Sequence, residues 1–407
     1  MHFEFGFYSS LLLITFSQGI IYSFLLLKKA VKHQSQSDYW LSLFVFLCSL
    51  YIAPWMLGFA GWYDNQPYRD FLFYIPFQHL FFVGPVIFFY TQSLLNPSFR
   101  FTKKEAIHFI PGLLYLIYTI TIWMYDQLIL QEYYFYKDGI DKDFDFWYQK
   151  TGLVSMIIYF GITIRYYNLY RKLMFQVVSY ADTVLFRWIR TYLYAFLLML
   201  LLPIAFDILA YYFPSINSYK GSWWFFLFFS MIMYYIAITG YSNSVATKIP
   251  FKLSVFNGNP VLLLNENKTN PHEEAAIDIS HEVYEENQSP EIKLWKQKID
   301  ALIQTEYLYQ NPELTLTEVA KKLNTNAAVI SKVVNQGFQM NFNDFINQYR
   351  VEAVKVVFDK GEHKKQTLLG IAFDCGFNSK ATFNRAFKKN SGLTPKEYIT
   401  KTQSLYS

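Results

Sequence analysis

Seven stretches of about twenty residues each, near 7–27, 39–60, 71–94, 105–125, 151–170, 191–213 and 222–241, are almost free of charge. That constrains the fold more than anything else in the chain. A bilayer core about 30 Å thick is crossed by roughly 20 apolar residues of helix. No soluble core could bury so much apolar surface from one segment of chain. Composition agrees, with aromatics at 21 % and charged residues at 16 %, against roughly 25 % charged in soluble domains. The expectation is a bundle of seven transmembrane helices over residues 1–245, with isolated Pro and Gly inside the second to fifth spans. Lipid-embedded helices tolerate these where neighbours satisfy the freed backbone groups.

Orientation follows from Lys and Arg in the loops, which favour the cytoplasmic side. The loops after spans one, three and five carry ten: Lys28, Lys29, Lys32, Arg100, Lys103, Lys104, Arg171, Lys172, Arg187 and Arg190. The opposite set carries five, Arg69, Lys137, Lys142, Lys150 and Lys220, and its longest loop, 126–150, holds six acids. The opening "MHFEFG" has no Lys or Arg, and the basic cluster follows the first apolar run. That is the reverse of a secretory leader. The expected topology is N-terminus outside, C-terminus in the cytoplasm, in a bacterial inner membrane. Among the few polar residues within the spans, Gln78 and His79 lie about 12 Å from the outer end of span three and Asp207 about 9 Å from that of span six, at 1.5 Å per residue. Ionisable groups at such depth mark function by default, so Gln78, His79 and Asp207 form the candidate sensing site, with a His79–Asp207 hydrogen bond as its structural alternative.

After Tyr241 the pattern stops. Residues 253–291 hold one Lys against eight acids, with Pro, Asn and Ser and no sustained period. A flexible acidic linker over 246–291 is expected, within which about 37 flexible residues reach roughly 30–35 Å. Residues 292–407 reverse the sign, with 17 Lys and Arg against 10 Asp and Glu. Cys48 and Cys375 lie in different halves, so no disulfide framework is expected. The histidines show no metal-ligand spacing, and neither a cofactor motif nor a catalytic constellation is present in the sequence. The expectation is therefore no enzyme, no metal and no cofactor.

The basic half has a repeated plan. In "LTLTEVAKKLNTNAAVISKVV", Thr315 and Glu318 have capping-box spacing, Ala320 is small, Asn324 occupies a turn and Asn326 can cap the next helix. In "IAFDCGFNSKATFNRAFKKNSGLTPKEY", Ile371-Ala372 echoes Val319-Ala320, Gly376 replaces Asn324 and Ser379 replaces Asn326. Two helix-turn-helix units, about 315–336 and 367–389, are thus expected. "FNDFINQYRVEAVKVVF" joins them as one connecting helix, about 342–359, burying Phe342, Phe345, Ile346, Tyr349, Ala353 and Val357 as a stripe. Two such units on one rigid connector suit major-groove segments about 34 Å apart.

These residues, over roughly 292–402, resemble the AraC/XylS family of bacterial transcription regulators. The resemblance implies an all-helical, bi-lobed domain that binds promoter DNA, acts as an activator or repressor, and has RNA polymerase as a partner. Carried over by position, the base-facing residues are Ala328, Ser331 and Lys332 in the first unit and Lys380, Ala381, Thr382 and Arg385 in the second. Asn384, Lys388 and Lys389 suit phosphate contacts. Arg385 and Lys380 can donate to guanine, and a Thr382 methyl suits a thymine methyl, so the second unit is expected to carry most of the specificity. The sequence departs from the family at Gln339, which stands where a turn Gly is usual. The functional expectation is a membrane-anchored one-component regulator that pairs with a second copy of the chain and responds to an unknown signal ligand. The alternative is a transporter or intramembrane enzyme with a regulatory cytoplasmic helical domain.

Overall fold

The computed structural model describes residues 4–131, 145–181, 185–242, 251–252, 261–263, 274–276 and 290–406. They form two compact units: Met1–Arg165 with Trp188–Lys248, and Tyr166–Arg187 with Ile249–Ser407.

The first unit is helical. α1 (Phe7–His33) and α2 (Gln36–Phe59) lie against each other. Small residues let them approach closely: Ser23 Oγ donates to the Ser42 carbonyl at 3.0 Å and Ser42 Oγ to the Ser23 carbonyl at 2.7 Å. Reciprocal Ser pairing of this kind adds attraction between two closely packed apolar helices. A Cβ at Gly19 would collide with Ser49 and Met233, so that glycine fixes the spacing of three helices. α3 (Tyr68–Tyr74) and α4 (Leu80–Leu95) follow, then α5 (Lys103–Ala106) and α6 (Ile110–Met124), which a 3-10 turn joins and a π turn over Tyr125–Leu130 extends. α7 (Asp145–Val177) begins in this unit, which α8 (Leu185–Tyr212) and α9 (Tyr219–Ser242) complete.

Five runs are long and apolar enough to cross a membrane: Phe7–His33, Gln36–Phe59, Lys103–Leu130, Trp188–Tyr212 and Tyr219–Ser242. Two of the seven expected spans differ from this description. The third is interrupted, with Ile75–His79 unwound between α3 and α4, and α4 alone is a shorter apolar helix. Pro76 removes a backbone donor there, which favours the break. The fifth lies within α7, whose 33 residues include polar ends.

The second unit contains α10 (Pro290–Thr305), α11 (Leu316–Lys322), α12 (Ala327–Lys332), α13 (Phe342–Asp359), α14 (Leu368–Asp374), α15 (Lys380–Ser391) and α16 (Pro395–Tyr406). Most of the expected acidic linker lies outside the described residues. Three short strands within it, β1 (Phe251–Lys252), β2 (Val261–Leu263) and β3 (Glu274–Ala276), pair antiparallel in the order β1-β2-β3. The architecture is helical as expected, with this small sheet beside the helices. Its central strand opens with Val261, a β-branched residue that suits a strand.

α13 is the single connecting helix that was expected, but its buried face is rotated from the expected stripe. Phe342, Phe345 and Ile346 are buried, and then Arg350, Val351, Val354 and Phe358 rather than Tyr349, Ala353 and Val357. The reason is that its C-terminal half faces the second helix-turn-helix core, made with Ile371, Ala372, Phe377, Phe383 and Phe387. Ala353 and Val357 pack at the edge of that cluster.

Candidate nucleic-acid interface

Each helix-turn-helix is fixed by local chemistry. In the first, Thr315 Oγ1 accepts from the Glu318 N–H at 3.3 Å while the Glu318 carboxylate accepts from the Thr315 N–H at 3.1 Å, closing the capping box. Asn324 then adopts φ 51°, a left-handed conformation that Asn tolerates better than most residues. Asn326 Oδ1 accepts from the Val329 N–H at 2.9 Å and starts α12, which a π turn over Val333–Gly337 continues. In the second unit, Thr367 caps α14, accepting from the Gly370 N–H at 3.1 Å. Gly376 makes the turn at φ 93°, and a Cβ there would collide with the Tyr309 carbonyl oxygen. Ser379 Oγ accepts from the Thr382 N–H at 3.1 Å and starts α15. Gln339 also takes the left-handed conformation, at φ 53°.

On α15, Lys380, Ala381, Asn384, Arg385, Lys388 and Lys389 are exposed, while Phe383, Ala386 and Phe387 face the core. On α12, Lys332 is exposed and Ala328 partly so. Two expected base contacts are corrected. Ser331 is 4 % exposed and packs with Asn335; Thr382 is 1 % exposed and receives a hydrogen bond from Ser379 Oγ at 2.9 Å. Both lie on the inward side of their helices, so neither presents its side chain to a groove. Lys389 is exposed but ion-paired with Asp344 of α13 at 2.7 Å, which ties α15 to the connector. Lys332, Lys380, Arg385 and Lys388 are the other exposed cations of the two second helices. Around the Arg385 guanidinium, crowding by protein atoms lowers its pKa, and the positive charge of Arg171 lowers it further.

The sequence did not single out Arg350. It is 1 % exposed, and all five of its donors are used. Nε donates to the Tyr309 carbonyl at 2.8 Å, Nη1 to Asn347 Oδ1 and to the Ser179 carbonyl, both at 3.1 Å, and Nη2 to the Asn311 carbonyl at 2.7 Å and to Ser179 Oγ at 2.9 Å. Phe377 lies beneath the guanidinium, its ring centre 5.9 Å away. Burial pushes its pKa down to about 10, so it stays charged at neutral pH. Ser179 comes two residues after the end of α7. Its N–H donates to the Leu314 carbonyl at 3.1 Å, and Val178 pairs with Thr315 in an antiparallel bridge. The end of α7 is therefore bonded to the residue that caps the first helix-turn-helix.

The candidate sensing residues lie in the first unit. Gln78 and His79 occupy the break between α3 and α4. Tyr148 pins it: its hydroxyl donates to the Gln78 carbonyl at 2.5 Å and accepts from the Leu80 N–H at 3.0 Å. Gln149 donates to the Gln78 side chain. Asp207 is not joined to them. It is largely exposed and lies 3.7 Å from Lys150, so the expected His79–Asp207 bond is replaced by an ion pair between α7 and α8. A buried acid that the sequence placed in a loop is Asp126, in the π turn, which accepts from the Tyr74 hydroxyl at 2.7 Å.

Residues 319–401 match the family described as a helix-turn-helix domain. An uncharacterized HTH-type transcriptional regulator of Staphylococcus aureus (strain COL) is 30 % identical over 91 residues, 22 % of this chain and 12 % of that protein. A second such regulator, from strain MSSA476, matches to the same extent. The Msm operon regulatory protein of Streptococcus mutans is 22 % identical over 119 residues, 29 % of this chain and 41 % of the relative. The chain thus spans about an eighth of the length of the first of these relatives. No solved structure matches it. The C-terminal region is a helix-turn-helix domain of the AraC type, and the relatives that share it are named as transcription regulators.

Proposed function

We propose that this chain is a membrane-anchored one-component transcription regulator. The carrying observation is the exposed set Lys380, Asn384 and Arg385 on the first turns of α15, in a helix-turn-helix domain borne by a chain with five membrane-length apolar helices. Base edges in the major groove suit the Arg385 guanidinium and Lys380 ammonium; Lys332 and Lys388 suit phosphates. Arg171 adds a further cation near Arg385, and a phosphate close to both would relieve their mutual repulsion. The apolar helices hold the domain at the inner face of a bacterial inner membrane, with the N-terminus outside. RNA polymerase and a second copy of the chain are the partners this reading implies.

The arrangement of α7 supports coupling between the halves. At 1.5 Å per residue its 33 residues extend about 50 Å, some 20 Å beyond a hydrocarbon core of about 30 Å. The surplus corresponds to Tyr166–Val177, the part that belongs to the second unit. A tilt or rotation of this helix in response to a signal would then act on the Ser179–Arg350 contact directly. Reporter output from a mapped target promoter tests the reading. Arg385→Ala with Lys380→Ala should abolish sequence-specific output at unchanged protein level. Output equal to the parent's would remove the base-reading assignment.

A further inference from the structure

Inside the first unit lies a cavity of about 60 Å3, walled by α2, α4 and α7 to α9. Phe44, Cys48, Leu80, Met156, Met199 and Leu200 are typical of its lining, and no Lys, Arg, Asp or Glu contributes to it. Two lining residues carry a polar ring or hydroxyl, Tyr51 and His79. His79, the last residue of the unwound break, lines the cavity. Among the described residues its imidazole stacks on Phe82 and makes no hydrogen bond. The break itself is held open by Tyr148 and Gln149 on the Gln78 side, so His79 is left to the cavity.

Irregular backbone at membrane depth is tolerated where it is buried in protein or lines a cavity, and interrupted helices recur at the binding sites of membrane proteins. An apolar hollow with few polar groups, here the His79 imidazole and the Tyr51 hydroxyl, is also the usual form of a small-molecule site, the polar groups fixing orientation. From these observations we infer that the cavity binds a small neutral amphiphile, its aliphatic chain among the Phe, Leu and Met side chains and one hydroxyl or carbonyl hydrogen-bonded to His79. The size sets the chain length. At roughly 10–15 Å3 per water-sized position, the cavity takes on the order of four to six linked heavy atoms. The head is neutral because no cation lines the walls to offset the cost of burying a carboxylate. This rests on reading the first unit as a membrane sensor and supplies the chemical class of its signal. A lipid tail from the surrounding bilayer would fill the same walls but bring no head to His79.

Pentan-1-ol is the probe and n-pentane the headless control. The full chain, carrying 13C-labelled methionine methyls, is placed in phosphatidylcholine nanodiscs and titrated with each. Met156 and Met199 line the cavity, whereas Met124 and Met231 do not and are exposed on the apolar helices, so the latter report simple partition into lipid. The expected result is saturable shifts of the Met156 and Met199 methyls with pentan-1-ol. His79→Leu should weaken pentan-1-ol by about 2- to 10-fold, the net worth of one hydrogen bond, and leave n-pentane unchanged. Leu200→Phe, which fills the hollow, should abolish saturation with both. Shifts that rise linearly and equally at all methyls, or equal saturation by pentan-1-ol in the parent and in His79→Leu, would overturn the inference. Binding is read here without DNA, so its failure leaves the promoter-reading proposal standing, and the reverse holds too.

Discussion

Arg350 shows how much can depend on one side chain. Its guanidinium serves three backbone carbonyls from distant parts of the sequence, those of Ser179, Tyr309 and Asn311. Truncating one partner of a buried charged network leaves the others desolvated, at a cost of about 3–5 kcal/mol. Arg350→Ala should therefore lower the thermal midpoint of the second unit steeply, and calorimetry on the full chain checks it. Arg350→Lys should restore little, because an ammonium lacks the planar fork that reaches all three carbonyls. An undiminished midpoint in both variants would mean the network adds no net stability. Gln339 is the opposite case. A non-Gly residue at φ 53° carries roughly 1–2 kcal/mol of left-handed strain, so Gln339→Gly should raise the midpoint, by about 0.5–1 kcal/mol after the entropic cost of Gly. Unchanged or lower stability would show that Gln339 holds the turn by a side-chain contact. Legibility at this scale followed range. The turn residues Asn324 and Gly376 and the caps at Thr315, Asn326 and Ser379 were readable, since their partners lie within a few residues. Arg350 was not, because the spacing of apolar residues along α13 says nothing of carbonyls 39 and 171 residues away. Thr382 was misassigned because a polar residue in a helix's first turn reads equally as a groove contact or as part of the cap, and Ser331 because its inward pairing with Asn335 leaves no mark in the sequence.

Among the elements, α7 joins the two chemistries. Its apolar stretch was expected from the sequence to be a fifth span, yet it is not among the five membrane-length helices, and nothing local signalled that its last three turns belong with the second unit. The bridge between Val178 and Thr315 gives a direct test. A Val178→Cys, Thr315→Cys pair should form a disulfide on mild oxidation, since antiparallel partners bring Cα atoms within the 4.4–6.8 Å such bonds require. Mobility on a non-reducing gel reads it after cleavage between the positions, and absence of the cross-link would remove the contact. Loss of the Thr315 cap in this pair costs about 1 kcal/mol on its own, so the single Cys variants are the reference. The break in the third span was half legible. Pro76 marked the place, but the hydroxyl that stabilises it comes from Tyr148, on another helix.

For the molecule as a whole, the segregation of character along the chain was the clearest signal. An apolar N-terminal half and a basic C-terminal half with a repeated helix-turn-helix plan could be read before any geometry. The division into compact units refines this by giving Tyr166–Arg187 to the second. The central claim is that one chain reads DNA while its apolar helices stay in a bilayer with the C-terminus on the cytoplasmic side. Sealed vesicles of both orientations, carrying the full chain and offered a labelled target duplex, test it most directly. Inside-out vesicles should retain the duplex, right-side-out vesicles should not, and Arg385→Ala should release it. Retention by right-side-out vesicles, or recovery of the intact chain in the soluble fraction bound to the duplex, would contradict the account.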